Sequence, residues 1–140
     1  MLIEHFILAR NSSIDQETKN LSIFEFIEDI QIQSTGGTIA LPLQLVAVVR
    51  RENEVGALDL NFGLEISGPA PQPALIPNIK IRMEANHSRS RLRVNLQAPI
   101  TGGGLYKFSL RSSDGRNLMA SIQIQISLVT AANPQELPKA

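Results

Sequence analysis

The chain of 140 residues contains no cysteine and no tryptophan, and only 4% of its residues are aromatic. Without cysteine it cannot form disulfides, a thiolate metal site or a cysteine nucleophile. The scarcity of aromatic side chains leaves few platforms on which nucleic-acid bases or sugar rings could stack. A binding site for nucleic acid or sugar that is built on stacked aromatic rings is therefore not favoured.

The sequence also lacks long apolar runs and net charge, because 13 lysines and arginines balance 13 aspartates and glutamates. No apolar stretch approaches the roughly 20 residues that a membrane helix needs. The first ten residues include Glu4 and Arg10 and do not resemble a secretory signal. We therefore expect a soluble, cytoplasmic protein. With 43% hydrophobic residues, the chain has enough apolar material for one folded domain.

The clearest pattern that is present lies at residues 121–128, where isoleucine or leucine alternates with serine or glutamine. A period of two is typical of a strand with one buried and one exposed face. Asp114 and Gly115 precede this segment and accept the positive φ of tight hairpin turns. Together with the apolar residues of 105–110, the pattern predicts a β-hairpin.

Two more hairpins are predicted from alternation. The first joins the apolar run at residues 42–51 to the alternating segment 57–67. The second joins residues 79–84 to residues 91–97 across Asn86-His87-Ser88.

The prolines of residues 68–77 lack the N–H that a sheet ladder needs, so we expect this segment to cross from one sheet to the other. Residues 11–20 are polar and are expected to form a loop.

Residues 21–33 fit two interpretations. Apolar residues spaced by three or four, with Ser22 and Glu25 as a capping box, fit a helix. The abundance of isoleucine and phenylalanine, and the alternation at its end, favour a strand. We predict a strand with a bulge near Glu28 and Asp29.

About seven or eight short strands are typical of a sandwich or barrel. We predict an all-β, antiparallel β-sandwich at residues 1–129, followed by a flexible tail at residues 130–140.

Charge is unevenly distributed along the chain. Residues 1–40 hold six acids and two bases, whereas residues 79–116 hold eight bases and two acids. Such segregation can steer an anionic partner, or it can let the two segments lie side by side with cross-strand charge pairs. We favour the second interpretation.

The predicted hairpin at residues 79–97 is the strongest candidate for ligand contact. Alternating arginines project from one face of a strand, and bases on the partner strand would join them. Such a row can bind phosphates or an acidic protein surface, and it also hinders edge-to-edge aggregation. The candidate anion-binding residues are Lys80, Arg82, Arg89, Arg91 and Arg93.

Catalytic motifs are not recognisable in the sequence. His5 and His87 are its two histidines, and we interpret them as a half-buried strand residue and a hairpin tip. The acidic residues near Asp15 and Glu28 lack EF-hand spacing. We therefore predict a protein that is not an enzyme and has no metal or cofactor. A hydrolase built on one histidine is the third hypothesis.

The pattern Asp15-x-x-Thr18-x-x-Leu21-Ser22 leads to Phe26, and later residues 104–108 are followed by Asp114-Gly115. In these residues the chain resembles an uncharacterised bacterial family. Its members are short cytoplasmic β-sandwich proteins, a domain of unknown function. The resemblance implies an immunoglobulin-like sandwich with no catalytic residues to carry over.

The leading hypothesis is a non-enzymatic protein-interaction or scaffold module that binds another protein or further copies of itself. Strong strand patterning and an apolar excess that includes Val46 and Val48 support it. The alternative is an anion or nucleic-acid binder that uses residues 79–97. Nucleic acid is less favoured because stacking residues are scarce, and no membrane partner is expected.

Overall fold

The computed structural model describes residues 1–34 and 36–130. Within these residues the chain forms nine β-strands and no helix. In chain order the strands are β1 (Leu2–Ile14), β2 (Leu21–Phe26), β3 (Asp29–Ser34), β4 (Ile39–Arg50), β5 (Leu58–Ser67), β6 (Ala74–Met83), β7 (Arg89–Ile100), β8 (Gly104–Ser112) and β9 (Leu118–Thr130). Accordingly, the described part of the chain contains no helix long and apolar enough to cross a bilayer.

The strands form two sheets that enclose one hydrophobic core. The four-stranded sheet has the order β2-β1-β4-β7, and the five-stranded sheet has the order β3-β9-β8-β5-β6. Neighbouring strands are antiparallel except β3 and β9, which run parallel. Leu45 of one sheet and Phe62, Phe108 and Ile124 of the other are almost fully buried. The predicted all-β sandwich is confirmed, with nine strands in place of about eight.

The strand predicted at residues 21–33 is present as two strands, β2 and β3, which are separated by residues 27 and 28 and belong to different sheets. β2 pairs with β1, whereas β3 pairs with β9. Between them Ile27 is buried, and its N–H donates a 2.9 Å hydrogen bond to the carbonyl of Leu8. The expected bulge at Glu28 and Asp29 is thus the place where the chain changes sheet, because Ile27 and Ile30 both enter the core.

The hairpin of β8 and β9 is confirmed, with Leu105 opposite Gln125 and Leu110 opposite Ala120. Its turn contains Gly115 at a φ of 75°. β1 continues to Ile14, so the predicted loop at residues 11–20 is confined to residues 15–20. Thr130 ends β9, and the predicted tail at residues 131–140 lies outside the described residues.

The other two predicted hairpins are wrong. β4 and β5 belong to different sheets, and so do β6 and β7. Arg51 holds both connections, since its guanidinium donates to the carbonyl oxygens of Glu54 (3.0 Å), Glu84 (2.9 Å) and His87 (2.8 Å). Alternation determines which side chains face the core. It does not determine whether the next strand pairs in the same sheet or passes to the opposite one.

The proline segment is also corrected, because it joins β5 to β6, which are antiparallel neighbours in the five-stranded sheet. β6 is the end strand of that sheet. Pro77 lies within it, opposite the register shift between Phe62 and Leu64. An end strand tolerates a missing N–H, since one side of its ladder is unpaired.

Tyr106 fixes the passage from β7 in one sheet to β8 in the other. Its hydroxyl donates to the carbonyl of Gly102 and accepts from the N–H groups of Thr101 and Gly102. A tyrosine near the start of a strand whose hydroxyl bonds to the backbone a few residues upstream is called a tyrosine corner. Glycines 102–104 therefore belong to a hydrogen-bonded corner.

Candidate functional site

The outer face of the four-stranded sheet carries the predicted arginine row. In β7, Leu92 and Leu96 point into the core, so alternation places Arg89, Arg91 and Arg93 on the opposite face, where all three are exposed. β7 is an end strand of this sheet, and β4 is its one neighbour. The predicted orientation of these three arginines is therefore confirmed.

The arginines reach across β4 toward β1 and the loop that follows it. Arg93 donates to the hydroxyl and the carbonyl of Ser12, at 2.9 and 3.0 Å. Arg91 donates to the carbonyl of Lys19 at 2.5 Å. These bonds hold β7 to β1 and to the loop that follows it. Other guanidinium N–H groups of Arg91 have no partner among the described residues.

Glu4 connects the acidic and basic segments of the chain. Its carboxylate accepts a 2.6 Å hydrogen bond from Arg89 and lies 3.4 Å from the guanidinium of Arg50. The hydrogen bond from Arg89 is the main reason that the pKa of Glu4 is lowered from its ordinary value. This pair joins the acidic and basic segments across β4, but the expectation that the two segments lie side by side is wrong for β1 and β7, because β4 separates them in the sheet.

Buried polar side chains lie beneath the arginine row. The hydroxyl of Ser12 donates to Gln44, and the amide of Gln44 donates to Asn95 at 3.0 Å. Ser12 and Gln44 are both buried, and buried polar groups need such partners. Sequence reasoning missed this network, although one signal was available: Gln44 is a polar residue inside the apolar run of β4.

A groove of about 1020 Å³ lies beside the arginines. We call it the arginine groove. Its apolar surface includes Leu21 and Val48, and Glu4 is the one acidic residue among the described side chains that line it. The cationic side chains of the lining are Lys19, Arg89 and Arg91.

Both histidines also line the arginine groove, and both are exposed. His5 lies on β1, and His87 lies in the connection between β6 and β7. Among the described residues, no group of three or more histidine, aspartate or glutamate side chains is placed to hold a metal ion.

Lys80 and Arg82 lie elsewhere, so the five predicted residues do not form one surface. Both belong to β6 in the five-stranded sheet and line a separate depression. Arg82 bonds to Glu84 at 2.9 Å and to Asp59 at 3.0 Å, and these carboxylates raise its pKa. The prediction that they join the arginines is wrong because β6 and β7 do not pair.

The chain is similar in fold to solved structures of a β-glucosidase from Listeria innocua. For the complex with glucose the TM-score is 0.52 at 9% identity, covering 88% of this chain and 16% of that chain. A second structure of that enzyme gives a TM-score of 0.50 at 7% identity, covering 91% of this chain and 16% of that one. The chain therefore spans less than a fifth of these proteins, and the likeness shows the fold alone.

No family model and no curated protein matches the chain. This result agrees with the resemblance to an uncharacterised family.

Proposed function

We propose that this chain is a non-enzymatic, protein-binding β-sandwich of the immunoglobulin-like type. The arginine groove receives an extended, acidic segment of a partner protein. The observation that carries the proposal is the composition of the groove, which is lined by the cationic Lys19, Arg89 and Arg91 together with the apolar side chains of Leu21 and Val48. The tyrosine corner at Tyr106 supports the immunoglobulin-like assignment.

Electrostatic complementarity favours an acidic partner. Three cationic side chains face one acid in the groove, and Glu4 is already paired with Arg89. The ammonium group of Lys19 has no partner among the described residues, and Arg91 uses one nitrogen to bind the main chain. Both cations can therefore form charge-assisted hydrogen bonds with carboxylates.

The apolar surface favours a polypeptide over a simple anion. Leu21 and Val48 offer contacts that a phosphate cannot use. A partner segment that alternates acidic and apolar residues would match both properties of this surface.

The test is titration with a fluorescent peptide of about ten residues that alternates glutamate and leucine, followed by anisotropy. Lys19→Ala and Arg91→Ala should each weaken binding about two- to fivefold, as expected for exposed charges. Binding should also weaken as salt rises. Lys80→Ala, an exposed base of the opposite sheet, is the matched control. Salt-independent binding, or an equal loss in the control, would refute the proposal.

The same experiment separates the alternative partners. Inorganic polyphosphate and a single-stranded oligonucleotide should compete with the peptide only weakly, because neither has aliphatic side chains for Leu21 and Val48. Stronger binding of a polyanion would favour the anion-binding hypothesis. Sedimentation of the protein alone tests self-association, and a dimer that Lys19→Ala dissociates would identify a second copy as the partner.

A further inference from the structure

A second groove lies on the outer face of the five-stranded sheet, on the side of the sandwich opposite the arginine groove. It has a volume of about 360 Å³ and lies where β5 passes between β6 and β8. We call it the Gly63 groove. Leu75 and Pro77 form one wall, Arg111 and Ser113 form the other, and Gly63 lies between them. Its volume falls at the lower end of the range for small-molecule sites.

Neither the backbone conformation nor steric crowding requires a glycine at position 63. Its φ is not in the left-handed region, and a Cβ added there would have the carbonyl oxygen of Ile76 as its nearest neighbour, at 3.9 Å. A larger residue would therefore fit the strand. Glycine inside a strand often marks a place where a ligand approaches closely. The missing side chain leaves the groove open.

Arg111 and Glu65 are the charged side chains among the described residues that line this groove. The guanidinium of Arg111 lies 3.6 Å from the carboxylate of Glu65, and the Arg111 side chain is 33% exposed. It forms no hydrogen bond with any described residue, whereas Arg51, Arg82 and Arg93 each form at least two. A half-buried guanidinium with unused donors in a concave surface is suited to bind an anion in bidentate geometry.

We propose that the Gly63 groove binds a small organic carboxylate with a short aliphatic body. The carboxylate pairs with the terminal nitrogens of Arg111, while Glu65 holds the Nε side of the guanidinium. The aliphatic body lies over Gly63 against Leu75, which is 67% exposed in the free protein. This site is independent of the arginine groove, since the two share no lining residue.

The test is a titration of the isotope-labelled protein with hexanoate, followed by amide chemical shifts. We expect saturable shifts at Gly63, Arg111, Ser113 and Gly115, with a dissociation constant in the millimolar range. Arg111→Gln should weaken binding about tenfold or more, because it removes a charge-assisted pair. Gly63→Val should abolish binding by filling the groove, and hexan-1-ol should bind less well than hexanoate.

Lys107→Gln is the control, since Lys107 lies on the same face of β8 but outside the groove. It should leave hexanoate binding unchanged. Shifts that do not saturate, shifts that disappear in the Lys107→Gln variant, or unaltered binding by Gly63→Val would overturn the proposal. Valine suits a strand, and thermal unfolding verifies that the Gly63→Val variant is folded. If the Gly63→Val variant is not folded, Arg111→Gln tests the proposal instead, because Arg111 lies at a partly exposed position.

Discussion

The hydroxyl of Tyr106 donates a 2.6 Å hydrogen bond to the carbonyl oxygen of Gly102, four residues earlier in the chain. The hydroxyl oxygen of Tyr106 in turn accepts hydrogen bonds from the N–H groups of Thr101 and Gly102, each at 3.2 Å. Tyr106 is 2% exposed, so water has little access to replace these bonds. One side chain thereby fixes the passage between the two sheets.

Tyr106→Phe should destabilise the protein by about 2 kcal/mol, because it leaves a partly buried carbonyl and two N–H groups without their partner. Urea unfolding measures this difference. Thr101→Ala is the control, since it keeps the backbone N–H that bonds to the tyrosine. A loss below about 0.5 kcal/mol for Tyr106→Phe would contradict the assigned role.

Gly68 contacts the ring of the same tyrosine. A Cβ added at Gly68 would lie 2.5 Å from Cε2 and 2.6 Å from Cδ2 of Tyr106. Gly68→Ala should therefore displace the ring and destabilise the protein by about 1–3 kcal/mol, as overpacking does. Gly102→Ala is the matched control, because a Cβ there meets no atom within 4 Å. Equal unfolding midpoints for the two variants would show that the ring moves without cost.

The sequence predicted the faces of the strands better than their neighbours. Alternation placed Leu60, Phe62 and Leu64 on one side of β5, and Phe62 and Leu64 are indeed buried. β5 pairs with β8, which lies about 45 residues further along the chain. Nothing in the local sequence of either strand indicates this pairing. A short connection such as residues 84–88 fits a hairpin and a sheet-to-sheet passage equally well, so residue periodicity could not distinguish them.

The candidate site was predicted in part for the same reason. Arg89, Arg91 and Arg93 share a face, because that depends only on alternation within β7. Lys80 and Arg82 were misplaced, because their position depends on pairing. The contributions of Lys19 and Leu21 depend on how the loop after β1 folds back over the sheet. Its turn is held by Asp15, which accepts from the N–H groups of Glu17 and Thr18.

Arg51 provides a third test of the fold. Its guanidinium bonds to three carbonyl oxygens on two different connections, those of Glu54, Glu84 and His87. Arg51→Lys should destabilise the protein by about 1–2 kcal/mol, since a single ammonium group cannot span the three acceptors.

Urea unfolding measures this change, with Arg116→Lys as a control at an exposed arginine of the β8–β9 turn. If both variants unfold at the same urea concentration, the connections do not depend on the planar guanidinium of Arg51.

Glu4 links stability to pH. Its pKa is lowered from 4.5 in the folded protein, mainly by the hydrogen bond from Arg89. A lowered pKa means that the stabilisation is complete above the unfolded value and is lost as pH falls through the folded value. Glu4→Gln should therefore be less stable than the natural protein at pH 7, and this difference should shrink as the pH falls below 4.5.

Unfolding free energies of both proteins, measured from pH 7 down to about pH 3, test this expectation. Glu17→Gln is the control, since the exposed Glu17 side chain forms no ion pair among the described residues. A constant difference across the range would mean that the Glu4–Arg89 pair contributes nothing that depends on ionisation.

Glu4→Gln also releases Arg89 and removes the one acid of the arginine groove, so it should bind the acidic peptide more tightly while being less stable. If the groove binds the acidic peptide, neutralising Glu4 should raise the affinity for that peptide. If the Glu4–Arg89 pair is only structural, the affinity should not rise.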